Sequence, residues 1–207
     1  MISNDAMVYI VEDDASFRKS MERLIRVAGY EVEAFGTANE FLTRADIRYP
    51  GCLLLDVQLP DTDGLTLQQT LNEKCSILPI VFMTGHGSIP MGIKAIKSGA
   101  VDFLVKPFKS DELLTAVREA LERSANDAAE ALKKNSVNAL IKTLTPREHE
   151  VLRYVIAGKL NKQTAFELGT CEKTIKVHRS RIMKKTRVSS LAELVRLAQK
   201  ADILPAG

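Results

Sequence analysis

Short apolar runs and stretches of helical spacing take turns along residues 7–123. "MVYIVED" (7–13) is an apolar run ending in acids, which predicts a strand. Phe17, Met21, Leu24, Ile25 and Ala28 then recur at helical intervals, and Gly29 stops that helix. "EVEAF" (31–35) predicts a second strand and "ANEFLTRAD" (38–46) a second helix. A third strand, "GCLLLD" (51–56), is followed by a loop and the helix "GLTLQQTLNEK" (64–74). A fourth, "LPIVFMT" (78–84), precedes Gly-rich "GHGS" (85–88) and the helix "IPMGIKAIKSGA" (89–100). A fifth, "VDFLVK" (101–106), leads to the helix "SDELLTAVREALERSA" (110–125), with Ser110 as its N-cap. The third and fourth runs lack polar alternation, as expected of strands buried on both faces. Five strands separated by helices predict an α/β domain whose parallel sheet is covered on both sides.

From residue 124 the pattern changes. "SANDAAEALKKNSVNALIKTL" (124–144) is Ala-rich and polar, without Pro, Gly or strand signals, and predicts a helical, semi-rigid linker. Only helical patterns follow. Thr145-Pro146-Arg147-Glu148 fits a capping box, with Thr as N-cap, Pro at the first helical position and Glu reaching back. "KQTAFELG" (162–169), "EKTIKVHRSRIMKKT" (172–186) and "SLAELVRLAQKA" (190–201) are further helices. In "EKTIKVHRSRIMKKT", Ile175, Ile182 and part of His178 face a small core. Lys173, Lys176 or Val177, Ser180 and Lys184 recur on the outside.

Charge separates the same two halves. Residues 1–123 carry 13 Lys and Arg against 18 Asp and Glu, whereas residues 124–207 carry 16 against 8. An acidic half joined to a basic half implies different partners, with nucleic acid suited to the second. No run approaches the roughly 18 apolar residues of a membrane span, and the N-terminus lacks the pattern of a signal peptide. Cys52, Cys75 and Cys171 form no CxxC pair and no metal-ligand spacing with the three histidines. Buried or idle thiols in a reducing cytoplasm are therefore expected.

The chemistry gathers at the strand ends. Asp13 and Asp14 follow the first strand, Asp56 the third, Thr84 the fourth and Lys106 the fifth. In an open α/β sheet, ligands bind beyond the carboxyl ends of the strands. Carboxylates converging there repel one another unless a cation sits among them, and all-oxygen ligands favour magnesium. One carboxylate could then attack a phosphoryl group, with a lysine ammonium and a threonine hydroxyl stabilising its oxygens. Taken singly, Asp14 could simply cap the next helix, Lys106 be a solvated lysine and Thr84 a satisfied strand-end hydroxyl.

"YIVEDDASFRKSM", "LLLDVQLPDTDGL" and "VFMTGHGSIPMGIKAIKSGAVDFLVKPF" resemble the receiver domain of two-component response regulators, and the last is similar to the nitrogen-fixation-regulator branch. The resemblance implies a flavodoxin-like sheet of order 2-1-3-4-5 and Asp56 as phosphoacceptor. It further implies Mg2+ (or Mn2+) held directly by Asp14 and Asp56, through water by Asp13, and by the backbone carbonyl of Gln58. Thr84 would be the switch hydroxyl, Phe103 the switch aromatic and Lys106 the phosphate partner, with Lys106–Pro107 cis. "LTPREHEVLRYVIAGKLNKQTAFELGTCEKTIKVHRSRIMKKTRVSSLAELVRLAQKA" is similar to the LuxR-type helix-turn-helix, and the whole resembles the FixJ/NarL/LuxR-type regulators. Lys173, Thr174, Lys176, Val177, Arg179, Ser180 and Lys184 would then meet DNA. Cys171 stands where Ser is more usual, which puts the local cap in doubt.

These readings divide the chain into a receiver (1–123), a helical linker (124–141) and a small all-α, four-helix DNA-binding domain (142–207). They imply a phosphorylation-dependent transcriptional regulator in the cytoplasm, with a sensor histidine kinase and promoter DNA as partners. It would dimerise when phosphorylated and turn over no substrate beyond slow loss of its own phosphoryl group. A haloacid-dehalogenase-like phosphatase would need a second Asp two residues after Asp56, where Gln58 stands. A DNA binder that ignores phosphorylation would not need the intact acid set. Asp61 and Asp63, in the loop after Asp56, are expected to be solvated.

Overall fold

The computed structural model describes residues 6–74, 76–85 and 89–207. The chain divides between Ala129 and Glu130 into two compact units. In the first, β1 (Met7–Val11), β2 (Glu31–Phe35), β3 (Gly51–Asp56), β4 (Ile80–Thr84) and β5 (Asp102–Val105) form one parallel sheet of order 2-1-3-4-5. Between them lie α1 (Ala15–Val27), α2 (Ala38–Arg44), α3 (Gly64–Glu73) and α4 (Ile89–Lys97). The helix α5 (Ser110–Ile141) follows, and residues 124–141 continue it without a break. It starts at Ser110 itself, and the carboxylate of Glu112 accepts the Lys109 N–H, so Ser110 is not its cap. Cys75 and His86–Ser88, which the sequence reading mentions, lie outside the described residues.

Every residue of β3 is buried, and the pleat explains why. Leu53 and Leu55 join Tyr9, Val11, Phe41, Leu67 and Phe82 in one core. Cys52 and Leu54 join Val8, Ile10, Ile25, Val81, Met83, Leu113 and Val117 in the other. Each parity meets a layer of helices, so a polar residue inside the strand would be buried unpaired. Burial also pushes the Cys52 thiol pKa far up, as expected of an inert core cysteine.

Acids fasten the loops to the helices. Asp14 caps α1, accepting the N–H groups of Ser16 (2.8 Å) and Phe17 (3.0 Å). Asp61 and Asp63 are not merely solvated. Asp61 accepts the N–H groups of Ala38 (3.2 Å) and Asn39 (2.8 Å) at the start of α2, and Asp63 accepts that of Leu65 (2.9 Å) at the start of α3. The β3–α3 loop is thereby tied to two helices. Gly64 closes it by close approach: a Cβ there would sit 2.4 Å from the backbone oxygen of Asp56.

The second unit holds α6 (Pro146–Ile156), α7 (Asn161–Glu167), α8 (Glu172–Thr186) and α9 (Leu191–Lys200). Val151, Leu152, Val155, Ala165, Ile175, Ile182 and Leu194 form its core. The capping box at Thr145 is present as expected. Its Glu148 is buried and also takes Lys185 Nζ at 2.6 Å, which ties the start of α6 to the end of α8. Between α7 and α8 the chain turns at Gly169 (φ 59°), a left-handed position that favours glycine.

Two stability predictions follow from these contacts. Gly64→Ala should destabilise the first unit by about 1–3 kcal/mol, since the new methyl meets backbone that cannot move aside freely. Thr145→Ala should cost the second unit about 1 kcal/mol. Denaturant unfolding measures both, and unchanged midpoints would refute them.

Candidate functional site

The carboxyl end of the sheet collects one ammonium and several carboxylates. Asp56 ends β3 with only 6% of its surface exposed. Its Oδ1 accepts the Gln58 N–H at 3.0 Å, and its Oδ2 accepts from Lys106 Nζ at 2.6 Å. The same Nζ donates to Glu12 Oε2 at 2.6 Å and lies 4.4 Å from the centroid of the Phe17 ring. Lys106 follows β5, where its N–H donates to the carbonyl of Thr84 at 2.7 Å and its bond to Pro107 is cis. Thr84 ends β4 and is buried. Phe103 is half-buried on β5, its ring 6.3 Å from that of Phe82. Gly92 lets α4 approach it, since a Cβ there would come within 3.3 Å of the ring.

Electrostatics follow from this packing. Burial raises the Glu12 pKa; the Lys106 hydrogen bond opposes that rise and the Asp56 charge adds to it. Burial alone would lower Lys106, but its hydrogen bonds to Asp56 and Glu12 outweigh burial and leave its pKa raised.

One placement differs from the sequence expectation. Oxygen atoms of Glu12, Asp13 and Asp56 all lie within 4.8 Å of one another, and Asp14 is not among them. The Asp14 carboxylate is committed to the α1 cap, which also lowers its pKa through the N–H groups of Phe17 and Ser16. The cause is where β1 ends. The sequence run suggested a strand to residue 13, but pairing stops at Val11, opposite Leu55. One step further along that register, Glu12 comes level with Asp56. The acid pair is therefore Glu12 and Asp13.

Sequence reading missed Glu12 and also Arg18. The guanidinium of Arg18 donates to the carbonyls of Glu12 (2.5 Å) and Asp13 (3.1 Å), fixing the backbone that carries both acids. The register of β1 against β3 is the signal that finds Glu12, and it is a pairing property rather than a local one.

The acid cluster fits a hard divalent cation. Its side-chain donors are all oxygen, Lys106 Nζ pairs with Glu12 and Asp56, and Asp13 beside them is exposed enough for a hydrated ion to enter.

In the second unit, α8 is two-faced as expected. Ile175 and Ile182 are buried, whereas Lys173, Lys176, Val177, Ser180 and Lys184 are exposed. Lys176 Nζ lies 3.4 Å from Glu172, an exposed pair that releases it at little cost. Thr174 and Arg179 are half-buried. Arg179 borders a groove with Val155, Met183 and Leu191, between the outer face and the core. Cys171 stands at the N-cap without a side-chain capping bond; its Sγ lies 3.2 Å from Thr174 Oγ1. Such a helix, standing clear of its core on one side, has the shape and charge to enter a major groove. Among the described residues, no helix is long and apolar enough to cross a membrane.

Comparison with known proteins agrees with both halves. Residues 8–118 match the response regulator receiver domain, and residues 142–198 match the bacterial regulatory proteins of the luxR family. Response regulator protein TodT of Pseudomonas putida is 42% identical over 200 residues, 97% of this chain and 88% of that protein. Transcriptional regulatory protein FixJ of Bradyrhizobium diazoefficiens is 38% identical over 197 residues, 95% of this chain and 96% of that protein. The solved structure of response regulator StyR matches with a TM-score of 0.81 at 43% identity, covering 95% of this chain and 99% of that one. With a receiver fold at one end, a luxR-type helix-turn-helix at the other and relatives that span nearly all of it, the chain belongs to the FixJ-like response regulators of two-component systems, a family of transcriptional regulators.

Proposed function

We propose that Asp56 accepts a phosphoryl group from the phosphohistidine of a partner sensor kinase, and that this controls DNA binding by the luxR-type domain. The observation that carries the reading is the pair of 2.6 Å contacts by which Lys106 joins Asp56 to Glu12 at the end of the central strand. An Asp56 oxygen attacks phosphorus in line. The P–N bond to the donor imidazole breaks, its electron pair stays on that nitrogen, which takes up a proton, and Asp56 becomes an acyl phosphate. Asp13, Asp56 and the Gln58 carbonyl, with Glu12 beside them, are the groups that would hold Mg2+ or Mn2+. When bound, the ion supplies positive charge that offsets the crowded phosphoryl and carboxylate oxygens.

The chain's own residues do the rest. Lys106 keeps its salt bridge to Glu12 and turns from Asp56 to a phosphoryl oxygen. The Thr84 hydroxyl donates to another oxygen, and Phe103 follows Thr84 inward. The phosphorylated state then favours a homodimer, a population shift that places two copies of α8 on a palindromic promoter site. On DNA, Lys173 and Lys184 meet phosphates, Lys176, Val177 and Ser180 lie toward the bases, and Thr174 and Arg179 border that contact face. In this reading the receiver is residues 1–123, the linker 124–141 and the DNA-binding domain 142–207. The protein works in the cytoplasm and, apart from slow hydrolysis of its own acyl phosphate, turns over no substrate.

Incubation with acetyl phosphate and Mg2+ tests the switch. The wild-type chain should gain a phosphoryl group, shift toward a dimer in light scattering and bind promoter DNA more tightly, and Asp56→Asn should do none of these. If phosphorylation changes neither mass distribution nor DNA affinity, the switch is refuted. Lys176→Ala should cost about 1–3 kcal/mol of specific binding in a titration of site against scrambled DNA. An equal loss on every sequence would place Lys176 on phosphate instead of base edges.

A further inference from the structure

We propose that Phe17 is a positioning residue for phosphoryl transfer, its ring face forming the third wall of the Lys106 ammonium site. The proposal rests on Asp56 being the phosphoacceptor. Phe17 sits in the first turn of α1, and its own N–H is one of the two held by the Asp14 cap, so its backbone is fixed. The ring centroid lies 4.4 Å from Lys106 Nζ. It also meets the ring of Phe108 edge-on, with centroids 5.9 Å apart and planes at 71°. Lys106, Pro107 and Phe108 are consecutive, so one ring receives both ends of the segment that leaves β5. Only 19% of the Lys106 side chain is exposed, and an ammonium stripped of water is held more strongly by an aromatic face.

The three contacts differ in what they ask of the ammonium. Lys106 has three N–H donors on a flexible four-carbon stem, and two of its partners are the directional acceptors Glu12 and Asp56. Once Asp56 becomes an acyl phosphate, the carboxylate charge that paired with Lys106 is gone and the ammonium turns to the phosphoryl oxygens. The ring offers a quadrupole face instead of a lone pair, and its attraction changes little as the ammonium rotates. Phe17 thus keeps Nζ in the pocket while its ionic partners exchange. The helical spacing of the sequence presents Phe17 as one more packing position, and its half-buried place beside the α1–α5 core serves that too.

The test uses the full chain, acetyl phosphate and Mg2+, with the rate of Asp56 phosphorylation measured against donor concentration. The variants are Phe17→Leu, Phe17→Tyr, Phe17→Trp and Phe17→pentafluorophenylalanine, the last keeping the ring's shape while reversing its quadrupole. A thermal melt of each establishes that it folds. Leu and pentafluorophenylalanine should slow the saturated rate about three- to thirtyfold, with Tyr and Trp close to wild type. If the pentafluoro chain matches wild type while wild type is phosphorylated normally, the ring only packs and the proposal is overturned. If wild type gains no phosphoryl group on Asp56, the phosphoacceptor reading falls and takes the role of Phe17 with it.

Discussion

Lys106 Nζ lies 2.6 Å from Asp56 and 2.6 Å from Glu12, and its three groups come from separate parts of the sheet. Glu12 follows β1, Asp56 ends β3 and Lys106 follows β5, with β4 standing between the last two. A side chain must therefore reach across one strand to join them, which the long stem of lysine allows. Glu12 is almost fully buried, and a carboxylate so placed is costly unless a cation pairs with it. Strand order, parallel direction and register all serve that one arrangement. A register slip of one residue would turn Asp56 to the other face and leave Glu12 buried without its partner.

Around this centre, acids that look idle do structural work. Asp14 closes α1 and fixes the backbone of Phe17, whose ring lies beside the ammonium. Asp61 and Asp63 bind the loop after Asp56 to α2 and α3, and Gly64 lets that loop fold tightly against the Asp56 carbonyl. Arg18 holds the two carbonyls next to Glu12 and Asp13. The site is thus rigid in its backbone and adjustable in one side chain, which suits a group that must change partners when a phosphoryl arrives.

The luxR-type domain uses the same device for a different end. Glu148 closes the capping box of α6 and, from a buried position, takes the ammonium of Lys185 near the end of α8. That pair, with Ile175 and Ile182 in the core, turns one side of α8 inward. Its opposite side keeps Lys173, Lys176, Ser180 and Lys184 in solvent.

Much of this was legible along the chain because it depends on neighbours in sequence. Five apolar runs, the helical spacings between them, the Thr145 capping box and the inward Ile175 and Ile182 all follow from local period and capping chemistry. Asp56, Thr84 and Lys106 could be named because a strand end can be read from where an apolar run stops. Glu12 could not, since "VEDD" offers three acids in a row and only the pairing of Val11 with Leu55 shows which one stands level with Asp56. Nor could the tether from Asp61 to α2, the grip of Arg18 on two carbonyls or the ring of Phe17 beside Lys106. By itself the sequence determined which residues form strands and helices and which chemistry waits at their ends. Only the tertiary structure decided which acid faces the ammonium and which caps a helix, because that choice turns on strand register and on distances between segments far apart in the chain.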